Sequence, residues 1–330
     1  MDIIQKLKQK AQSSPKNVVF PEGEDETIIK AAAQIAGESI ANPIILGDEK
    51  TITKMAGQAG LELKGVKLVD ITAYPKLGTY LAEYSKIREM PEAVAKRQMK
   101  DPLYFGAMMV RLGDADAMVA GIANDTEDVI MACDAIIGLQ KGISIPSSFF
   151  LMEIPGYQGP EGNILIFADA AVNANPAVGC LADIAITTAR SARELLGWEP
   201  RVAMLSFSTK GSAVHPDVDK VIEATQIAKE RAPDLAIDGE LQVDTAIVPE
   251  VAKRKLKEKS PVAGKANILI FPDLDAANIA YKLVQRLTGA KSYGPPLQGF
   301  KKPVSDLSRG ATVEDVVGTA IMVAVRAQAS

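Results

Sequence analysis

The chain carries little that would mark a metalloprotein, a disulfide scaffold, a nucleic-acid binder or a dinucleotide enzyme. Its two cysteines, Cys133 and Cys180, lack metal-ligand spacing and are too few to staple 330 residues, so both read as reduced core residues. A formal net charge of −4 is not the basic balance that nucleic-acid domains carry. No G-x-G-x-x-G follows an expected strand and no G-x-x-x-x-G-K-[ST] occurs, which weakens a dehydrogenase or P-loop reading. Gly156, Gly159 and Gly162 in GYQGPEG precede a strand and read as a hairpin-like loop. No basic-flanked apolar leader opens the chain, and no apolar run of about 18 residues precedes the last helix, so a cytoplasmic protein without a membrane partner is expected. Repeats and low-complexity tracts are absent, and the one charge block, KRKLKEK at 253–259, reads as the solvated end of a helix.

Against these gaps stands a regular alternation of short β-branched runs with helical ones. The runs are apolar throughout, as in parallel sheets covered on both faces, and the length suggests two domains. Strands are expected at 17–20, 43–46, 67–71, 117–120, 147–152, 164–168, 202–206, 235–237 and 267–271. Helices are expected at 26–36, 51–59, 104–112, 177–195, 218–230 and 276–287. The loop at 138–146, rich in Gly, Ser and Pro, marks a boundary. The expected arrangement is two doubly wound α/β domains with a cleft between them, one of residues 1–145 plus 301–330 and the other of 146–300. In such sheets ligands bind at the carboxyl ends of the strands.

The most informative stretch is GPPLQGFKKPVSDLSRGATVED, Gly294 to Asp315. It leads through Ser308-Arg309-Gly310 into an unusually apolar last helix, 313–327. The N-terminus of a helix carries free N–H groups and partial positive charge, and here an arginine, a hydroxyl and a carboxylate gather beside it. Asp315 reads equally as the third residue of a capping box begun by Thr312 and as a general base. The loop SFSTKGSAVH at 206–215 offers hydroxyls, small residues and Lys210 for phosphate oxygens, with an ordinary strand-to-helix turn as the equal alternative. Its His215, the only histidine, reads as surface. Carboxylates at Asp169, Asp238, Glu240 and Asp244 lack paired metal spacing, and no metal site is expected.

Taken together, Pro21-Glu22-Gly23, Val119-Ala120-Gly121, ADAAVNANP from Ala168, MLSFSTKGSA from Met204, DGELQVD from Asp238, IFPDLDAANIAYK from Ile270 and GPPLQGFKKPVSDLSRG from Gly294 resemble the phosphate acetyltransferase family over most of the chain. The resemblance implies an isocitrate and isopropylmalate dehydrogenase-like fold, a homodimer, and transfer of an acetyl group between CoA and inorganic phosphate by way of acetyl phosphate. No permanently bound cofactor is implied, CoA being a substrate. Ser308, Arg309 and Asp315 match the family's active-site serine, arginine and aspartate. Arg88, Asn124, Thr126, Ser206, Ser208, Thr209, Lys210, Gly211, Asn278, Lys282, Gly294 and Gln298 are the expected substrate-binding positions.

Departures cluster in the first half. Thr27 and Met131 stand where the family has arginines, Asn124-Asp125 replaces a histidine-threonine pair, and Glu89-Met90-Pro91 follows Arg88 where a lysine-glycine pair is missing. Ala277 replaces a glycine and Ala170 a frequent cysteine. Alternatives are therefore a propionyl or butyryl transferase, an inactive CoA- or acyl-phosphate-binding relative, and, on fold analogy alone, a dehydrogenase.

Overall fold

A computed structural model describes residues 3–329. The chain divides into two compact units, 1–140 with 300–330, and 141–299.

In chain order the first unit contributes α1 (Ile3–Ser13), β1 (Asn17–Phe20), α2 (Glu26–Gly37), β2 (Asn42–Leu46), α3 (Glu49–Gln58), β3 (Lys67–Val69), α4 (Leu77–Arg88), α5 (Glu92–Gln98), α6 (Pro102–Leu112), β4 (Ala117–Ala120) and α7 (Thr126–Ile136). The second contributes β5 (Ser147–Glu153), β6 (Ile164–Ala168), α8 (Val178–Leu196), β7 (Arg201–Leu205), α9 (Pro216–Arg231), β8 (Ala236–Leu241), α10 (Val243–Ile247), α11 (Pro249–Lys255), β9 (Ile268–Ile270), α12 (Leu274–Thr288), β10 (Lys291–Tyr293) and β11 (Pro296–Gln298). The chain then returns to the first unit for β12 (Val304–Asp306) and α13 (Val313–Gln328).

The first unit's strands lie in the order β3-β2-β1-β4-β12, all parallel. Apolar runs such as NVVF and AMVA are buried because helices cover the strands: α13 packs on β1 and β4, and so does α6. Helix starts are set by aspartate caps. Asp25 accepts from the N–H groups of Thr27 and Ile28, and Asp101 caps α6 ahead of Pro102. The last helix is buried over most of its length, from Val316 to Ala327, as its composition demands.

In the second unit the order is β11-β5-β6-β9-β7-β8, with β10 also on β5. Here β6, β9, β7 and β8 are parallel, whereas β5 runs antiparallel to β6, β10 and β11. The antiparallel course of β5 departs from the parallel pattern that its apolar run suggests. A continuous apolar strand such as SSFFLM reports burial on both faces and carries no signal of direction. No helix among the described residues is long and apolar enough to cross a membrane.

Candidate active site

Strand β12 ends at Asp306 and the chain turns through an exposed Ser308-Arg309-Gly310 before α13 begins. The Ser308 carbonyl accepts from the Ala311 N–H at 2.9 Å, which tightens the turn. Thr312 and Asp315 form the reciprocal capping box. The Asp315 N–H donates to Thr312 Oγ1 at 3.2 Å, while Asp315 Oδ2 accepts from the Thr312 N–H and hydroxyl, both at 2.9 Å. The capping role is therefore real, and it leaves Asp315 Oδ1 without a hydrogen bond among the described residues. Arg309 pairs through its guanidinium with Asp125, and both side chains are about two-thirds exposed. Such a pair contributes under about 1 kcal/mol, so it orients the guanidinium while leaving donors for an incoming anion.

Asp125 sits where it does because of Glu22. The Glu22 carboxylate accepts from the consecutive N–H groups of Gly121, Ile122, Ala123 and Asn124 at 2.9–3.0 Å, and from Asn124 Nδ2 at 2.7 Å. A row of backbone donors of this kind is an anion nest, and an internal carboxylate fills it. One donor of the Asn124 amide is thereby committed to Glu22. Thr126, the next expected contact, donates its hydroxyl to Asp306 Oδ2 at 2.5 Å. Gly121, with φ of 114°, allows this closeness: a Cβ there would stand 2.2 Å from Asp306 Oδ1.

Burial raises the Asp306 carboxyl to about 6, partly offset by the Thr126 hydroxyl, with Glu22 and Asp125 adding repulsion. The buried Cys133 thiol is likewise pushed up, chiefly by burial, with the charges of Asp306 and Asp134 adding to it. In the unfolded chain an aspartate titrates near 4, so between pH ~4 and ~6 the folded state holds a proton that the unfolded state has lost. Stability should therefore fall as pH rises through this window, by on the order of 3 kcal/mol. Thermal melts of the native protein and Asp306→Asn from pH 4 to 8 check this: the slope should flatten in the variant, and an unchanged slope contradicts the assignment.

In the second unit, the loop after β7 is built the same way around Glu240. This buried carboxylate accepts from the Ser208 hydroxyl at 3.0 Å and the Gly211 N–H at 2.7 Å. The Ser206 hydroxyl accepts from the Ser208 N–H, and Thr209 Oγ1 accepts from the Gln242 N–H at 3.0 Å. Lys210 donates from Nζ to Asp238 Oδ1 at 2.7 Å and to the Gly239 carbonyl at 2.5 Å. His215 caps α9, accepting from the Asp217 N–H at 3.2 Å.

The other expected positions are scattered. Arg88 closes α4, exposed and without an ion pair or hydrogen bond among the described residues. Asn278 on α12 donates to the Ala170 carbonyl at 3.3 Å, and Lys282 lies over the Tyr281 ring. Gly294 packs against the Phe149 carbonyl in the turn before β11, where its φ of 134° and the lack of room exclude a side chain. Gln298 is a correction: fully buried, it donates to Ser147 Oγ at 3.0 Å and Thr188 Oγ1 at 2.7 Å, tying β11 to β5 and α8 instead of lining a site. Of the two arginine replacements, Thr27 sits in the first turn of α2, and Met131 on α7 is about half exposed. No cluster of three or more metal-type ligands exists among the described residues. The sequence reading missed the bracing roles of Glu22, Glu240 and Asp306. Their only local signal is a carboxylate at the end of an apolar strand.

An exposed arginine, a hydroxyl and a helix-capping carboxylate on one strand-end loop of an open α/β sheet are the groups an enzyme of small anionic substrates needs. The chain belongs to the phosphate acetyl/butaryl transferase family, whose sequence model matches residues 2–324. It is 47% identical to the phosphate acetyltransferase of Acetivibrio thermocellus, over 99% of both chains. Among solved structures it resembles a phosphotransacetylase from Streptococcus pyogenes (TM-score 0.92, 40% identity, 99% and 98% of the two chains). It also resembles one from Staphylococcus aureus (TM-score 0.91, 38% identity, 99% and 98%).

Proposed function

We propose that this chain transfers an acetyl group between CoA and inorganic phosphate: acetyl-CoA + phosphate ⇌ CoA + acetyl phosphate. The observation that carries the reading is the loop joining β12 to α13, where Ser308, Arg309 and Asp315 lie within eight residues of one another beside a helix N-terminus.

In the direction of thioester formation, the unpaired Oδ1 of Asp315 takes the CoA thiol proton. The thiol must lose it because the thiolate is the nucleophile. The thiolate sulfur forms a bond to the acetyl carbonyl carbon, the bond from that carbon to the bridging phosphate oxygen breaks, and its electron pair leaves with phosphate. Arg309 turns from Asp125 to the phosphate, and Arg88 supplies a second cation. Ser308 donates to the carbonyl oxygen as negative charge develops there. Lys210, Asn278 and Lys282 remain candidates for contacts to CoA, while Ser206, Ser208, Thr209 and Gly211 shape the loop that presents Lys210. The assembly is a homodimer acting in the cytoplasm without a resident cofactor, as the family resemblance implies.

With acetyl phosphate and CoA as substrates, Asp315→Asn should lower thioester formation about 100-fold or more, the span of general-base effects. An unimpaired Asp315→Asn enzyme would sink the base assignment. Rates on acetyl-, propionyl- and butyryl-CoA decide the acyl group, because the exposed Met131 and the Asn124-Asp125 pair alter the first unit's loop. Binding of CoA without turnover of any ester would mean an inactive relative.

A further inference from the structure

A second charged feature lies in the second unit, at the edge strand β8. A cavity of about 420 Å³ is lined by Lys210, Lys229, Lys255, Lys257 and Lys259, against the carboxylates of Asp238 and Glu258 alone. Five ammonium groups against two carboxylates leave a strong positive excess, in a chain whose net charge is −4. The volume falls within the span of small-ligand sites, about 300–1,000 Å³.

The cations are positioned, not merely scattered. Asp238 is buried, with its side chain 7% exposed, and accepts from Lys210 at 2.7 Å, Lys229 at 3.2 Å and the Ser260 hydroxyl at 2.5 Å. Burial alone would raise its carboxyl, but the hydrogen bonds from Lys210 and Ser260 outweigh it and hold the group below the usual carboxylate range. One buried anion thus fixes two ammonium groups at the cavity wall, each about 40% exposed and with donors left over. Lys210 reaches it from a left-handed backbone with φ of 46°, a conformation that costs a lysine on the order of 1 kcal/mol and persists where the surroundings enforce it. Lys255 is tied to Asp244 and Gln242. Lys257 and Lys259, on the loop after α11, make no ion pair among the described residues and complete the ring. The basic run at 253–259 does form the exposed end of α11 and the loop after it, and Lys255, Lys257 and Lys259 from it also line this cavity.

We infer that this lysine-ringed cavity binds the phosphoester groups of a nucleotide. Several phosphate oxygens on one small scaffold match several fixed ammonium groups better than a single inorganic anion does, and ammonium groups are effective point-charge partners of phosphate. If the proposed reaction holds, the adenosine 3′,5′-bisphosphate end of CoA is the nucleotide at hand, and that identification rests on the reading above. A free nucleotide is the other source of the same chemistry.

Calorimetry with adenosine 3′,5′-bisphosphate tests the site directly, on the native protein and on the double variant Lys257→Ala/Lys259→Ala, with thermal midpoints as the folding control. The native protein should bind, and the double variant should bind about tenfold more weakly, with the difference shrinking as salt is raised. No binding by the native protein, or equal binding by the folded variant, overturns the inference. This arm needs no turnover, so it stands even if the activity reading fails. Kinetics then separate the sources. A rise of about tenfold in KM for CoA, with KM for 3′-dephospho-CoA moving less than twofold, places CoA itself in the cavity. Unchanged KM values alongside weakened nucleotide binding place a free nucleotide there.

Discussion

Arg309→Gln should lower the rate of acetyl transfer about 1,000-fold, the scale on which removal of a charge-stabilising donor acts. The substitution keeps a polar, hydrogen-bonding side chain but shortens it and removes the charge and the fork. The charge matters because phosphate departs with the electron pair of the breaking bond. The fork matters because it grips two phosphate oxygens at once. Arg309→Lys, which keeps charge without the fork, should fall between native and Gln. Stability should hardly move, since the pair with Asp125 is about two-thirds exposed on both sides. A large fall in melting temperature with Arg309→Gln would mean that the residue is structural, and a rate within threefold of native would remove it from the reaction.

Glu22→Gln is expected to damage both stability and rate, although Glu22 touches no substrate in the proposed mechanism. Both oxygens of the carboxylate are in use, two backbone N–H groups on Oε2 and three donors on Oε1. An amide replaces one acceptor with an NH₂ group that faces N–H donors, leaving donors unmet at a cost of about 2–3 kcal/mol. The loop it braces carries Asp125, which orients Arg309, and Thr126, which holds Asp306. Displacing a positioning contact by about 1 Å costs on the order of 100-fold in rate. The loss should appear in kcat together with the KM for phosphate, and Glu22→Asp, which restores the charge with a shorter reach, should recover part of both. A Glu22→Gln protein with native melting temperature and native kinetics would refute the brace.

How far the sequence could lead depended on how local each feature is. Buried runs such as β1, β4 and β6 and the long helices α8 and α13 were visible because apolar content and length suffice to find them. By contrast, β12 is three residues between a proline and a loop, too short for any period to show, although it is the strand that delivers Ser308 and Arg309. The antiparallel course of β5 was likewise hidden. At the site, Ser308, Arg309, Thr312 and Asp315 are neighbours in sequence, so their gathering could be read directly. The role of Glu22 could not, since its partners are 99–102 residues away and four of the five are backbone groups that carry no side-chain signature. Asp238 escaped for the same reason. It could be seen as a carboxylate after a strand, but not as the anchor that gathers Lys210 and Lys229. The opposite error occurred at Gln298, where a polar residue in a telling motif serves the core.

The central claim is acetyl transfer to phosphate, and the most direct measurement is release of free CoA thiol from acetyl-CoA by the purified protein, with and without inorganic phosphate. Thiol release should depend on phosphate, saturate with it, be matched mole for mole by acetyl phosphate, and fall about 1,000-fold in Arg309→Gln. Release that proceeds at the same rate without phosphate, or no release from any acyl-CoA, would contradict it.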